Sequence, residues 1–223
     1  TNDYQLDVKA ILSHIAERTK LIFVCSPNNP TGNLMRRESV VGIAEKFDGI
    51  VVVDEAYIDF TADPSLTTRL DELANLVVLQ TFSKAWGMAG IRVGLAFAGV
   101  KIIDLMNRVK PPYNVSGIAQ TVVLHALDDG RDVKDWIVSA LQQRALLAES
   151  LSQFAFVGKI NPSDANFLLV KSSDANALYS YLLEERGGVR NRNIVELCEG
   201  CLRITVGTSE ENSRLLNALA RYG

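Results

Sequence analysis

Short continuous apolar runs alternate along the chain with stretches in which apolar residues return every three or four positions. The runs Leu21-Ile22-Phe23-Val24, Gly49-Ile50-Val51-Val52-Val53 and Leu76-Val77-Val78-Leu79-Gln80 are too short for helices and show no polar alternation. Each is expected as a strand covered on both faces. Residues 91–97 read as a fourth strand. Between them, residues 7–18 place Val8, Ile11, Leu12 and Ile15 on one helical face, and residues 37–47 do the same with Val40, Val41, Ile43 and Ala44. A short helix is expected over 66–73. Strands alternating with helices predict an α/β sheet, whose ligand lies beyond the carboxyl ends of the strands.

The second half has a different rhythm. Residues 100–108 read as a helix that Lys110-Pro111-Pro112-Tyr113-Asn114 breaks, and 117–127 as another. A long helical pattern follows over 132–151, with Val133, Trp136, Ile137, Ala140, Leu141, Leu147 and Ala148 along one side. The domain boundary is expected there, giving domains 1–135 and 136–223. Beyond it come a strand-like run at 167–170, a helix over 175–185, the segment Gly187-Gly188-Val189-Arg190, a strand at 201–206 and a closing helix after Thr208. That order predicts a small α+β domain. No internal repeat interrupts it.

An apolar share of 48% beside 22% charged residues is that of a globular chain with a real core. A net charge of −3 gives no electrostatic footprint for nucleic acid. No apolar run is long enough to cross a bilayer, and no secretory signal is expected. Three cysteines, Cys25, Cys198 and Cys201, are too few for a disulfide framework, so a reducing cytoplasm is expected. Thr1-Asn2-Asp3-Tyr4 reads as mid-chain sequence, and a fragment lacking its N-terminal part is expected.

The chemistry centres on Thr81-Phe82-Ser83-Lys84-Ala85-Trp86-Gly87-Met88-Ala89-Gly90-Ile91-Arg92. A lysine at the end of a buried strand is costly unless it is paired or loses its charge. Such an amine is a nucleophile suited to an aldehyde. Taken singly, each candidate also has a plain reading: Lys84 as a loop cation, Asp54 as a loop or capping acid, Tyr57 as a core tyrosine. Pro30 and Gly32 read as turn residues and Trp86 as core. The two cysteines of Cys198-Glu199-Gly200-Cys201 lack a second pair, and His14 and His125 lie far off in sequence, so no metal site is expected.

Three segments, taken in order, carry a resemblance: Asn29-Pro30-Thr31-Gly32, Asp54-Glu55-Ala56-Tyr57 and Ser83-Lys84 with Arg92 eight positions on (92 − 84), each after an apolar run. The chain resembles fold-type I aminotransferases dependent on pyridoxal phosphate (PLP). Among them it is most similar to the histidinol-phosphate group, through Cys25–Gly32, Val53–Asp59 and Cys201–Gly207. The resemblance implies a three-layer α/β/α large domain with a mostly parallel sheet, incomplete at its N-terminus, and a small C-terminal α+β domain. It implies that Lys84 bonds the cofactor aldehyde and that Asp54 meets the pyridine nitrogen. Asn29 and Tyr57 would meet the ring oxygen, and Thr81, Ser83 and Arg92 the phosphate. Arg203 would bind the anionic end of the substrate and Arg190 its phosphate, with Arg192 as a neighbouring competitor. The implied reaction takes histidinol phosphate and 2-oxoglutarate to imidazole acetol phosphate and glutamate, in a cytoplasmic homodimer with no metal, nucleic acid or membrane partner. The same fold also serves aromatic aminotransferases, threonine-phosphate decarboxylases, carbon–sulfur lyases and PLP-binding transcription regulators. The family's upstream glycine-rich loop, ring-stacking aromatic and cross-dimer tyrosine have no counterpart in this sequence.

Overall fold

Four strands form the first sheet: β1 (Leu21–Cys25), β2 (Ile50–Asp54), β3 (Leu76–Thr81) and β4 (Gly94–Ala98), side by side in that order. In this computed structural model, which describes residues 1–128, 133–185 and 188–223, β1, β2 and β3 run parallel and β4 pairs antiparallel to β3. Strand register brings Cys25 beside Asp54 and Asp54 beside Leu79, and β3 runs two residues further, to Thr81. Helix α2 (Arg37–Lys46) lays Val40, Ile43 and Ala44 on Val24, Val51, Val53, Leu76 and Val78, the same-face positions of the parallel strands. Gly49 is needed where β2 begins, because a Cβ there would sit 2.5 Å from the Lys20 carbonyl. One amide ties the amino end of the sheet together: Asn75 Nδ2 donates to the carbonyls of Ala44, Phe47 and Gly49 at 3.0, 2.9 and 2.9 Å.

Several expectations shift. The edge strand β1 is covered on one face only, through Ile22 and Val24, while Phe23 remains 69% exposed. The first helix, α1 (Val8–Ser13), stops five residues early, because the Thr19 hydroxyl accepts from Ala16 N and turns the chain. Residues 66–73 form only a 3₁₀ turn, Leu66–Arg69. So short a segment does not offset the cost of nucleating an α-helix. Strand β4 starts at Gly94 and not at Ile91, since Arg92 is left-handed (φ 58°) and breaks the extended run. Helices α3 (Val100–Val109) and α4 (Gly117–Asp128) follow.

The chain divides into two compact units, the first of Asp3–Pro27 with Met35–Val133 and the second of Asn28–Leu34 with Lys134–Gly223. The second holds α5 (Val133–Leu151), α6 (Ala175–Glu184) and α7 (Ser209–Tyr222), and β5 (Val157–Ile160), β6 (Phe167–Ser172), β7 (Val189–Asn191) and β8 (Cys201–Thr205). Its sheet is antiparallel throughout, in the order β5-β6-β8-β7. The three helices bury Leu147, Leu151, Leu178, Leu182 and Leu219 against Leu168, Val170, Val189, Leu202 and Ile204, which share one face of that sheet. Helix α7 starts at a capping box, Thr208 accepting from Glu211 N and Glu211 from Thr208 N. Asp132, expected to open α5, and Gly187 lie outside the described residues.

Candidate functional site

Chemistry-bearing residues gather at the carboxyl ends of β2 and β3. The half-buried Asp54 closes β2, and its Oδ1 accepts from Ala56 N at 3.0 Å, folding the chain into a turn. Tyr57 follows, 6% exposed, and opens the 3₁₀ turn Ile58–Phe60. The chain past β3 makes a loop that returns as β4. It is closed at its base by Phe82 N to Val93 O at 3.3 Å, and inside by Met88 N to Phe82 O and Gly87 N to Lys84 O, both 3.0 Å. Gly87, at φ 66°, allows that tight return. The loop places the Lys84 ammonium over the Tyr57 ring, 5.1 Å from its centroid. Lysine and tyrosine, 27 residues apart (84 − 57), are thus brought together. Trp86 stands edge-on to Phe82 at 5.4 Å and packs on the core that α4 shares with this loop.

The hydroxyl residues of the loop begin with local bonds. Thr81 Oγ1 donates to Val93 O at 3.3 Å and accepts from Ser83 N at 3.1 Å. Arg92 is exposed, and its Nη1 donates to Ala89 O at 3.0 Å. A guanidinium carries five N–H groups in a planar fork, so one such bond leaves most of it available to an anion.

Asn29, Arg203 and Arg190 belong to the second unit. Asn29 sits in a loop that bonds to itself, Asn28 Nδ2 reaching Thr31 Oγ1 at 2.7 Å and Thr31 Oγ1 donating to Asn33 Oδ1 at 2.6 Å. Asp164 anchors that loop from both sides, donating from its N to Gly32 O and accepting from Leu34 N at Oδ2, each 2.7 Å. Gly32 is left-handed at φ 83°, and a Cβ there would lie 2.6 Å from Ser163 Oγ, so the position has no room for a side chain. Burial pulls the guanidinium of half-buried Arg144 below its usual range, against the opposing pull of Asp164, while its Nη1 donates to Ala165 O at 2.8 Å.

Arg203 Nη1 donates to Asn29 Oδ1 at 2.9 Å, and its guanidinium carbon lies 5.0 Å from the centre of the Phe167 ring. Arg190 on β7 is the direct cross-strand partner of Arg203 on β8. Both project from the sheet face opposite the helices, because their neighbours Val189, Leu202 and Ile204 point into the core. Two like charges side by side are unfavourable until an anion bridges them. Arg192 lies two positions further along, where its N donates to Cys201 O. Cys198 and Cys201 are buried, and burial, with Cys198 nearby, pushes the Cys201 thiol up. That thiol is poorly suited to ligation or nucleophilic attack.

Sequence reasoning passed over Glu55. It is 2% exposed, and its carboxylate accepts from Ser65 Oγ at 2.5 Å, Leu66 N at 2.8 Å and Gln80 Nε2 at 3.0 Å. Gln80 Nε2 also donates to Ser65 Oγ at 3.1 Å, and Glu55 N donates to Leu79 O at 2.8 Å. Glu55 stands one residue past a strand end, where the sequence carries no signal of its burial.

A family model described as aminotransferase class I and II matches residues 1–219. The chain is 49% identical over 222 residues to the histidinol-phosphate aminotransferase of Cytophaga hutchinsonii, covering 100% of this chain and 64% of that protein. It spans under two thirds of the length of such curated relatives. The crystal structure of histidinol-phosphate aminotransferase from Clostridium acetobutylicum superposes with a TM-score of 0.91 at 23% identity, covering 100% of this chain and 69% of that one. The Sinorhizobium meliloti histidinol-phosphate aminotransferase, solved in complex with pyridoxal-5′-phosphate, gives 0.84 at 23% identity, over 100% and 63% of the two chains. At that identity these two show the fold.

Proposed function

Given that the chain belongs to the aminotransferase class I and II family, we propose that the protein transfers the amino group of histidinol phosphate to 2-oxoglutarate with pyridoxal phosphate as cofactor. The observation that carries this reading is the Lys84 ammonium poised over the Tyr57 ring, with Asp54 closing the neighbouring strand.

The donor set fits the cofactor. It offers one amine, one phenol, one carboxylate, two hydroxyls and one guanidinium, which match an aldehyde, a phenolic oxygen, a pyridine nitrogen and a phosphate dianion. When bound, pyridoxal phosphate supplies an aldehyde to take the amino group and a ring to accept the electron pair left on the substrate carbon. Asp54 retains lone pairs beyond its bond to Ala56 N, so it can hold a proton on the pyridine nitrogen. The Tyr57 hydroxyl donates to the phenolic oxygen. For Asn29 the same role falls to Nδ2, because Arg203 fixes Oδ1 as an acceptor. Ser83 and Arg92 take the phosphate. Thr81 joins them when its proton leaves Val93 O, a long and therefore weak bond at 3.3 Å. Lys84 Nζ would bond the cofactor aldehyde, and its free amine would take and return the proton at the substrate α-carbon as a general base and acid.

The substrate reading rests on the Arg190 and Arg203 pair and on the 49% identity to a histidinol-phosphate aminotransferase. Two adjacent guanidinium groups suit a phosphate ester in one half-reaction and a carboxylate in the other. The division into a cofactor domain, 1–135, and a substrate-arginine domain, 136–223, belongs to the same proposal, as do a homodimeric state and a cytoplasmic location. Among the described residues no helix is long and apolar enough to cross a membrane.

The test is borohydride reduction of the cofactor-loaded protein followed by peptide mapping. Lys84 should carry the label, and Lys84→Ala should lose the visible absorbance of the bound cofactor. A label on another lysine would refute the assignment. A wild-type preference for an unphosphorylated aromatic amino acid over histidinol phosphate would refute the substrate while sparing the cofactor chemistry.

A further inference from the structure

We propose that Glu55 is a positioning residue. Its buried carboxylate, through Gln80 and Ser65, sets the segment bearing Asp54 and Tyr57 against the segment bearing Thr81, Ser83 and Lys84. The proposal rests on the function just given for Lys84 and Tyr57.

A carboxylate this deeply buried is unfavourable unless its lone pairs are used. All three bonds that Glu55 accepts come from groups that fix neighbouring segments. Gln80 is the penultimate residue of β3, immediately before Thr81 and four residues before Lys84. Ser65 and Leu66 open the 3₁₀ turn that follows the Tyr57 segment. The main chain adds a fourth tie, from Glu55 N to Leu79 O. Past Leu79 the ladder between β2 and β3 has ended, so parallel pairing no longer holds the two segments. Side chains must then maintain the separation that leaves Lys84 5.1 Å from the Tyr57 centroid. The Glu55–Gln80 bond is a side-chain link between these strand ends. The adjacent Asp54 carboxylate accepts within its own turn, from Ala56 N. One carboxylate therefore faces the cofactor and the next holds the frame.

Three variants separate positioning from bulk stability. Gln80→Met keeps the length of a half-buried side chain and removes the donor. Glu55→Ala removes all three acceptors. Glu55→Gln can restore the bonding, because a flip of the Gln80 amide turns its oxygen toward the new donor. Two readouts apply in the whole protein. The first is the rate of Lys84 acylation in the cofactor-free form, measured by mass spectrometry against exposed Lys101 of α3. The second is the single-turnover rate of the loaded form, measured well below the melting temperature of every variant. Gln80→Met and Glu55→Ala should raise the Lys84-to-Lys101 labelling ratio about threefold or more and slow turnover about tenfold or more, as for a misplaced reacting group. Glu55→Gln should stay within about threefold of the parent in both. Parent-like labelling and turnover in Gln80→Met would overturn the proposal, and so would Glu55→Gln behaving like Glu55→Ala. Loss of melting temperature alone, with both readouts unchanged, would reduce Glu55 to a stabilising core residue. If borohydride fails to trap Lys84 in the parent, the function given above fails. The labelling ratios of the cofactor-free variants still decide whether Glu55 positions that lysine.

Discussion

Replacing Arg203 with lysine keeps the charge and removes the fork. In the structure Nη1 donates to Asn29 Oδ1 at 2.9 Å while the guanidinium lies over the Phe167 ring. A lysine ammonium can retain part of the ring contact, but it cannot bond Asn29 and a bidentate anion in one plane. The lost charge-assisted hydrogen bond is worth about 1.5–3 kcal/mol. That corresponds to a fall of about 10- to 150-fold in kcat/KM. The loss should appear in both half-reactions, since one guanidinium serves both anions. It should exceed the loss of one contact, because the freed Asn29 amide can rotate and withdraw Nδ2 from the orientation that Arg203 imposes. Arg190→Ala is the control. Arg190 faces the same side of the sheet but lies at its edge, on β7. Its removal should raise KM for the phosphorylated substrate and leave the glutamate half-reaction nearly intact. The assay is single-turnover kinetics with glutamate and with histidinol phosphate, run separately on the whole protein. An Arg203→Lys variant within about twofold of wild type in both half-reactions would refute the reasoning, given the energy of the bond removed. So would equal losses for both substrates in Arg190→Ala.

Asp54→Ala should slow the half-reaction about 10²–10³-fold, the cost of removing one partner of a buried ionic hydrogen bond; a near-wild-type rate would assign the pyridine nitrogen to another acid. Asn75→Ala strands three carbonyls at the base of the first sheet. It should cost about 1–3 kcal/mol, read as a fall in Tm of about 2–10 °C by calorimetry. An unchanged Tm would mean that water replaces the amide. Gly32→Ala combines a left-handed backbone with a clash at Ser163 Oγ. It should destabilise the protein by about 1–3 kcal/mol, and denaturant titration that finds no loss would show that the loop relaxes.

What could be read from the chain followed physical range. The parallel strands were visible because each is a short apolar run, and α7 follows Thr208, where a closing helix is expected. The early end of α1 was not visible, since a side-chain bond that competes with the helix ladder decides it, and neither was the 3₁₀ turn at Leu66, where the segment is too short to nucleate an α-helix. Strand β5 escaped because its residues, Val-Gly-Lys-Ile at 157–160, carry little apolar signal and pair only through β6. The lysine loop was legible as a motif, but its contact with Tyr57 is a tertiary fact. Arg190 and Arg203 were proposed as partners in substrate binding. Their direct register across β7 and β8 could not be read from sequence, since no turn residue sets that pairing. Glu55 was missed for a simple reason: a carboxylate beside a catalytic candidate reads as solvated until its burial is seen.

The reversal of β4 has a consequence in chain entropy. Because Thr81 pairs with Gly94, the segment carrying Lys84 is a closed loop of about a dozen residues, whose closure costs about 2 kcal/mol in its length-dependent part. The Asn29–Arg203 bond spans 174 residues of sequence, where the same relation gives about 4.6 kcal/mol. On the function proposed above, the reacting amine is presented by a short local closure, complete once the β3–β4 ribbon forms. The substrate arginine meets Asn29 only across a far longer one. The chemistry would then draw on near neighbours in the chain and the choice of substrate on distant ones.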